Sequence, residues 1–160
     1  MNAIMCGLAA AGLLLVATPC ARAAEADLVT ARDIDEIVNV AKGFGSATKT
    51  TTKSGDPKIE GRLDGLQYAV FFYGCENGSN CESIQMYVGF KMNGNKPGMS
   101  KVNEWNQKKR YGKAYIDKAG DPVMEMDVPM AKGITRNTLD SAFNSWTSLV
   151  AEYAQFIGYK

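Results

Sequence analysis

The 160-residue chain contains no histidine. That absence excludes Ser-His-Asp and Cys-His catalysis, imidazole proton transfer and every histidine-containing metal site. Net charge is almost absent too, with 18 basic against 17 acidic residues. A chain so balanced has no electrostatic footprint for nucleic acid and little attraction to anionic lipid. A Gly-rich phosphate loop is missing. The nearest approach, Gly43-Phe44-Gly45, runs into strand-like residues and not into a helix N-terminus. Internal repeats, low-complexity segments and linkers are also lacking, so one domain with its own core is expected.

Cysteine is scarce, at four residues. Cys6 and Cys20 lie in an N-terminal stretch that reads as a leader. Ala3 to Ala17 is an unbroken apolar run, short for a membrane span, and Pro19 and Ala21-Arg22-Ala23 follow it as a small-x-small cleavage site. Residues 1–23 are therefore expected to be a secretory signal peptide, with Ala26 as an alternative cleavage point and residues 27–160 as the folded domain. No Lys or Arg precedes the run, so an uncleaved anchor is the competing reading, and membrane contact would then come only through the leader. Cleavage after Ala23 removes Arg22 alone and leaves 17 charges of each sign. Cys75 and Cys81 remain as an even pair in an oxidising space, the periplasm or the exterior, which favours a disulfide. Two cysteines and no histidine give no zinc site, and no cofactor is expected.

The organising stretch is Leu66 to Phe90. Tyr68, Val70 and Phe72 alternate with Gln67, Ala69 and Phe71, and Ile84, Met86, Val88 and Phe90 alternate with Ser83, Gln85, Tyr87 and Gly89. This period-two pattern predicts two strands, the first of them in mid-sheet because it is apolar on both faces. Between them, Glu76-Asn77-Gly78-Ser79-Asn80 suits a tight reversal, which brings Cys75 opposite Cys81. Upstream, Thr30 is the expected cap of a helix carrying Ile34, Ile37, Val38 and Ala41. An exposed strand is expected over Ala47–Lys53 and another over Lys58–Leu63, so three or four consecutive strands make a meander. Downstream, Ser100 is the expected cap of a short helix over Lys101–Lys109, followed by strands over Tyr111–Asp117 and Val123–Val128. Thr135 caps a last helix to about Ile157, with Leu139, Phe143, Trp146, Val150, Tyr153 and Ile157 as its apolar stripe. The order α-βββ(β)-α-ββ-α predicts an α+β fold with an antiparallel sheet and helices on one face.

Phe72-Tyr73-Gly74-Cys75, Asn80-Cys81-Glu82-Ser83-Ile84-Gln85, Val102-Asn103-Glu104-Trp105-Asn106, Gly112-Lys113-Ala114-Tyr115-Ile116-Asp117 and Glu125-Met126-Asp127-Val128 together resemble the YbjN family. The likeness runs from about Leu28 to Ile157 and rests on the order and spacing of these segments. That family is associated by name with bacterial sensory transduction regulation. It is similar in fold to type III secretion chaperones, small α+β proteins, often dimeric, that bind other proteins. The resemblance implies no catalytic residues. The leader and the cysteine pair set this chain apart from the cytoplasmic members.

Four groups of residues are candidates for function. Trp105, Lys108, Lys109 and Arg110, with Lys101 and Lys113 nearby, form a basic cluster beside a large ring, a candidate partner-binding spot. The alternative is a core-anchoring tryptophan on a helix with a solvated polar face. Tyr73, Gln85 and Tyr115 are candidates to line a small-ligand pocket. Glu125 and Asp127, two residues apart on one strand face, have the spacing of paired carboxylates in a hydrolase, or of an ordinary solvated strand face. The stripe of the last helix is either a dimer seam or the helix's contact with its own sheet. The expectation is a non-enzymatic, exported binding module for another envelope protein, chaperone-like or adaptor, with a homodimer as a further option. The alternatives are a small-ligand sensory accessory and a hydrolase.

Overall fold

The computed structural model describes residues 28–159. The expected signal peptide, with Cys6 and Cys20, lies outside the described residues. In chain order the elements are β1 (Leu28–Val29), α1 (Ile34–Lys42), β2 (Ser46–Thr51), β3 (Pro57–Leu63), β4 (Leu66–Tyr73), β5 (Ser83–Gly89), α2 (Met99–Lys108), β6 (Lys113–Ile116), β7 (Pro122–Pro129), β8 (Ile134–Thr135) and α3 (Arg136–Ile157). Six strands form one antiparallel sheet in the order β2-β3-β4-β5-β7-β6. β1 and β8 make a separate two-residue ladder. No helix among the described residues is long and apolar enough to cross a membrane.

The meander β2 to β5 follows from local turn chemistry. Asp64 and Gly65 both take positive φ, at 47° and 84°, between the paired residues Leu63 and Leu66. Asn77 and Gly78 do the same, at 50° and 71°, inside the Glu76–Ser79 bridge. Two successive left-handed residues match the twist of a hairpin, and Asn, Asp and Gly tolerate that geometry best. β4 lies between β3 and β5, the mid-sheet position that its two apolar faces predict.

Past β5 the path is less regular. The chain crosses through α2 to the far edge, lays down β6, then returns as β7 between β6 and β5. One face of the sheet carries Ile59, Val70, Phe72, Ile84, Met86, Val88, Met124, Met126 and Val128, all buried. Against it lie the buried sides of α1, α2 and α3. The apolar stripe of α3 is therefore consumed by its own core. Trp146, Phe143 and Tyr153 are each within 1% of full burial. Burying a side chain of this size contributes about 1.5–3 kcal/mol.

α3 starts and stops where its sequence indicates. Thr135 Oγ1 accepts from the Thr138 N–H at 3.1 Å, and Gly158, at φ 74°, closes the last turn with Tyr159 N–H donating to Ala154 O. Two other caps differ from expectation. The Asp33 carboxylate turns back to accept from Thr30 N–H and Oγ1–H, both at 2.8 Å. Thr30 thus closes a turn, and α1 begins only at Ile34. In α2 the cap is Gly98, so Ser100 sits inside the first turn. β6 is shorter than expected because Tyr111 adopts φ 70°, outside the extended region.

Candidate functional site

The opposite face of the sheet carries no helix. Strand alternation and register place its residues in rows. One row runs Thr50, Lys58, Phe71, Gln85, Asp127. The next runs Thr48, Glu60, Ala69, Tyr87, Glu125, Lys113. A third runs Ser46, Arg62, Gln67, Gly89, Val123, Tyr115. Tyr73 and Ser83 begin a further row, and Tyr73 is 48% exposed.

Two polar networks preorganise one half of this face. Tyr73 O–H donates to Gln85 Oε1 at 3.3 Å, and Gln85 Nε2 donates to Asp127 Oδ1 at 2.8 Å. Beside them, Glu125 accepts from Tyr115 O–H at 2.7 Å through Oε1 and from the Lys113 ammonium at 2.7 Å through Oε2. Glu125 is 8% exposed, a buried carboxylate with both oxygens engaged. Burial, then the hydrogen bond to Glu125, pushes the Tyr115 phenol well above its ordinary pKa. The hydrogen bond that the Lys113 ammonium donates to Glu125 raises the Lys113 pKa. Burial raises Tyr73 and Tyr87, with nearby carboxylates adding to the effect. Phe71 and Tyr87 meet edge to face at 5.8 Å between ring centres, and the Lys58 ammonium lies 5.3 Å above Phe71.

The other half of the face is shallower. Small side chains on β2 to β4 leave a depression of about 430 Å3, lined among others by Thr48, Thr50, Glu60, Arg62, Gln67 and Tyr87. The face is thus a ridge of aromatic and acidic groups beside a hydroxyl-lined hollow.

The sequence candidates separate on this geometry. Tyr73, Gln85 and Tyr115 all lie on the open face, but in the ridge and not around the hollow. Glu125 and Asp127 point the same way, as the strand period requires. Their hydrogen-bond partners differ, Glu125 being held by Tyr115 and Lys113 and Asp127 by Gln85.

Trp105 is 2% exposed, its ring 4.9 Å from that of Tyr153 and 5.4 Å from that of Phe156. Of the two readings its sequence allowed, it takes the core anchor. The cations around it have partners of their own. Lys108 pairs with Glu104 at 2.5 Å one turn back, Lys109 pairs with Glu152 of α3, and Lys101 lies 5.2 Å above Phe156. Lys113 belongs to the Glu125 network, and Arg110 is exposed. A basic run in the sequence is thus partitioned among several intramolecular contacts.

The cysteines meet as their register predicts. Cys75 and Cys81 are bonded, with Cα atoms 3.9 Å apart at the mouth of the hairpin loop. Asn106 was not a sequence candidate, yet its amide completes the edge of the sheet. Nδ2 donates to Ala114 O at 2.9 Å, and Oδ1 accepts from Ala114 N–H at 3.0 Å. This side chain takes the place of a neighbouring strand at the outer side of β6. No local pattern announces such a contact, because it joins a helix to a strand across the crossover.

Compared with known families, residues 33–158 match the YbjN family model, whose description is "Putative bacterial sensory transduction regulator". That description is of a regulator, not of an enzyme. No curated protein matches the chain.

Proposed function

The chain belongs to the YbjN family, and on that premise we propose that it is an exported, non-enzymatic binding module. It acts as an adaptor or chaperone-like protein for another protein of the bacterial envelope. The observation that carries this reading is the helix-free sheet face, where aromatic rings and hydrogen-bonded polar groups are held in place before any partner arrives. Preorganised side chains lower the entropic cost of binding, and tyrosine gives large contact area for few rotatable bonds. The pairing of Cys75 with Cys81 supports an oxidising compartment. The engagement of both Glu125 oxygens by Lys113 and Tyr115 argues for a structural carboxylate in place of a hydrolytic acid.

Cross-linking of the protein in native periplasm, followed by capture and mass spectrometry, tests this. A recurrent foreign protein is expected, lost when Tyr73→Ala and Asp127→Ala remove groups from the face. Equal capture by wild type and by the face variants would overturn the surface assignment. Absence of any captured protein would overturn the adaptor reading.

The hollow favours a second reading, a sensory accessory that takes a small polar ligand against Thr48, Thr50, Glu60, Arg62 and Gln67. A thermal-shift screen of small polar metabolites that moves the melting point of wild type but not of Arg62→Ala would support it. A flat screen would remove it.

A further inference from the structure

We propose that the groove between α2 and the outer edge of β6 binds a small neutral molecule that joins an apolar body to a primary carboxamide. The carboxamide is held by the main chain of Ile116. The site is built from the sheet edge and α2, so it is separate from the helix-free face.

The register of β6 directs two main-chain groups into this groove. Asp117 N–H donates inward to Asp121 O at 2.9 Å, and Ile116 stands opposite Pro122, which has no N–H to give. Main-chain direction alternates along a strand, so the N–H and C=O of Ala114 and of Ile116 point away from β7. At Ala114 both are taken by the side-chain amide of Asn106, whose Oδ1 accepts at 3.0 Å and whose Nδ2 donates at 2.9 Å. At Ile116 no described residue bonds to either group. The edge thus shows at Ala114 which group it accepts, a carboxamide with donor and acceptor side by side. Two residues along, about 6.6 Å away, it offers the same pair again.

Beside that pair lies a groove of about 460 Å3, lined by Met99, Val102, Asn103, Ala114 and Ile116 among others. That volume lies within the range of small-molecule sites. Val102 is buried and gives an apolar wall, whereas Met99, 81% exposed, gives a flexible one that can close on an aliphatic body. Asp117 also lines the groove, and its Oδ1 accepts from Ala119 and Asp121 N–H at 2.9 and 2.8 Å. Its charge opposes a carboxylate at this place, so a neutral amide is favoured over a fatty acid. A secondary amide in its trans form sends N–H and C=O to opposite sides, and it can satisfy only one of the two Ile116 groups.

Nuclear magnetic resonance titration of the purified protein, labelled at backbone nitrogen and methionine methyl groups, tests this with hexanamide. Saturable shifts of the Ile116 amide and the Met99 methyl are expected, with a Kd of about 1–10 mM for so small a ligand. N-Methylhexanamide and hexanoate are expected to bind at least about fivefold more weakly, each losing one hydrogen bond. These comparisons leave the protein unaltered, so folding does not enter. Met99→Ala, which truncates an exposed side chain, is expected to weaken hexanamide about threefold. No saturable shift up to about 30 mM, equal binding of hexanamide and its N-methyl derivative, or shifts confined to the hollow around Thr48 and Gln67 would each overturn the proposal. Binding of an extended five-residue peptide in place of hexanamide, with the Asn106 side-chain and Ala114 signals moving, would make this an edge for strand addition and overturn the small-ligand assignment.

Discussion

Reducing the Cys75–Cys81 bridge isolates one stabilising term. The bridge closes a loop with a sequence separation of six. On the chain-entropy model a loop of that size removes about 2 kcal/mol of denatured-state freedom. Asn77-Gly78 already favours a turn in the unfolded chain, which pulls the expected loss toward the lower end, between about 1 and 2 kcal/mol. In a domain of this size that is roughly 3–8 °C of melting temperature, or about 1 M in the urea midpoint. Trp105 and Trp146, 2% and 1% exposed, report core unfolding by fluorescence. Oxidised and reduced samples are compared in urea at one pH, with intact mass confirming the thiol state. The double variant Cys75→Ala with Cys81→Ala is expected to lose about 1 kcal/mol more, because Cys81 is 3% exposed and its sulfur fills core space. Equal midpoints for the oxidised and reduced forms would refute the entropic reasoning. Two free thiols after native purification would remove the bridge and the support it gives to export.

Other outcomes follow from particular contacts. Stability is expected to change little between about pH 6 and 9, since no histidine titrates there, and to fall above about pH 10. The sign is set by Tyr73, Tyr87, Tyr115 and Lys113, whose folded pKa values are raised, and by Tyr153, which burial pushes up to about 12. The stability they contribute is full below their unfolded pKa values and is lost as pH rises through the folded ones. A urea midpoint that climbs between pH 9 and 11 would contradict this. Asn106→Ala removes both bonds at the β6 edge and is expected to cost about 1–3 kcal/mol by urea unfolding and to promote association through that edge on light scattering. Trp105→Ala is expected to cost about 3–5 kcal/mol, whereas Arg110→Ala stays within about 0.5 kcal/mol. Equal costs for the two would return Trp105 to the surface.

Much of the meander is written locally. Asp64-Gly65 and Asn77-Gly78 take positive φ without help from distant residues, and period-two alternation assigns each residue of β4 and β5 to a face. The stripe, cap and stop of α3 are equally local. Cap competition is decided more finely. The Asp33 side chain serves a turn at Thr30 and not a helix that starts there, because both uses are hydrogen bonds of similar strength to nearby N–H groups.

The strands of the six-stranded sheet, the long terminal helix, the pairing of Cys75 with Cys81 and the exclusion of histidine chemistry are legible in the order of residues alone, whereas the two-residue ladder of β1 with β8 is not. The legible features depend on residues within one or two turns of each other, or on residues that are absent. Tertiary structure decided where β6 and β7 insert, that Lys113 leaves the basic run to hold Glu125, that Asn106 seals an edge, and that Trp105 faces inward. Those outcomes depend on which segments meet across the crossover through α2, and side-chain partners on different elements have no fixed spacing along the chain. The open face is the clearest case. Its rows join the meander to β7, with Gln85 and Asp127 paired across 42 residues of sequence, so its ridge and its balance of charge exist only once the sheet has closed that register.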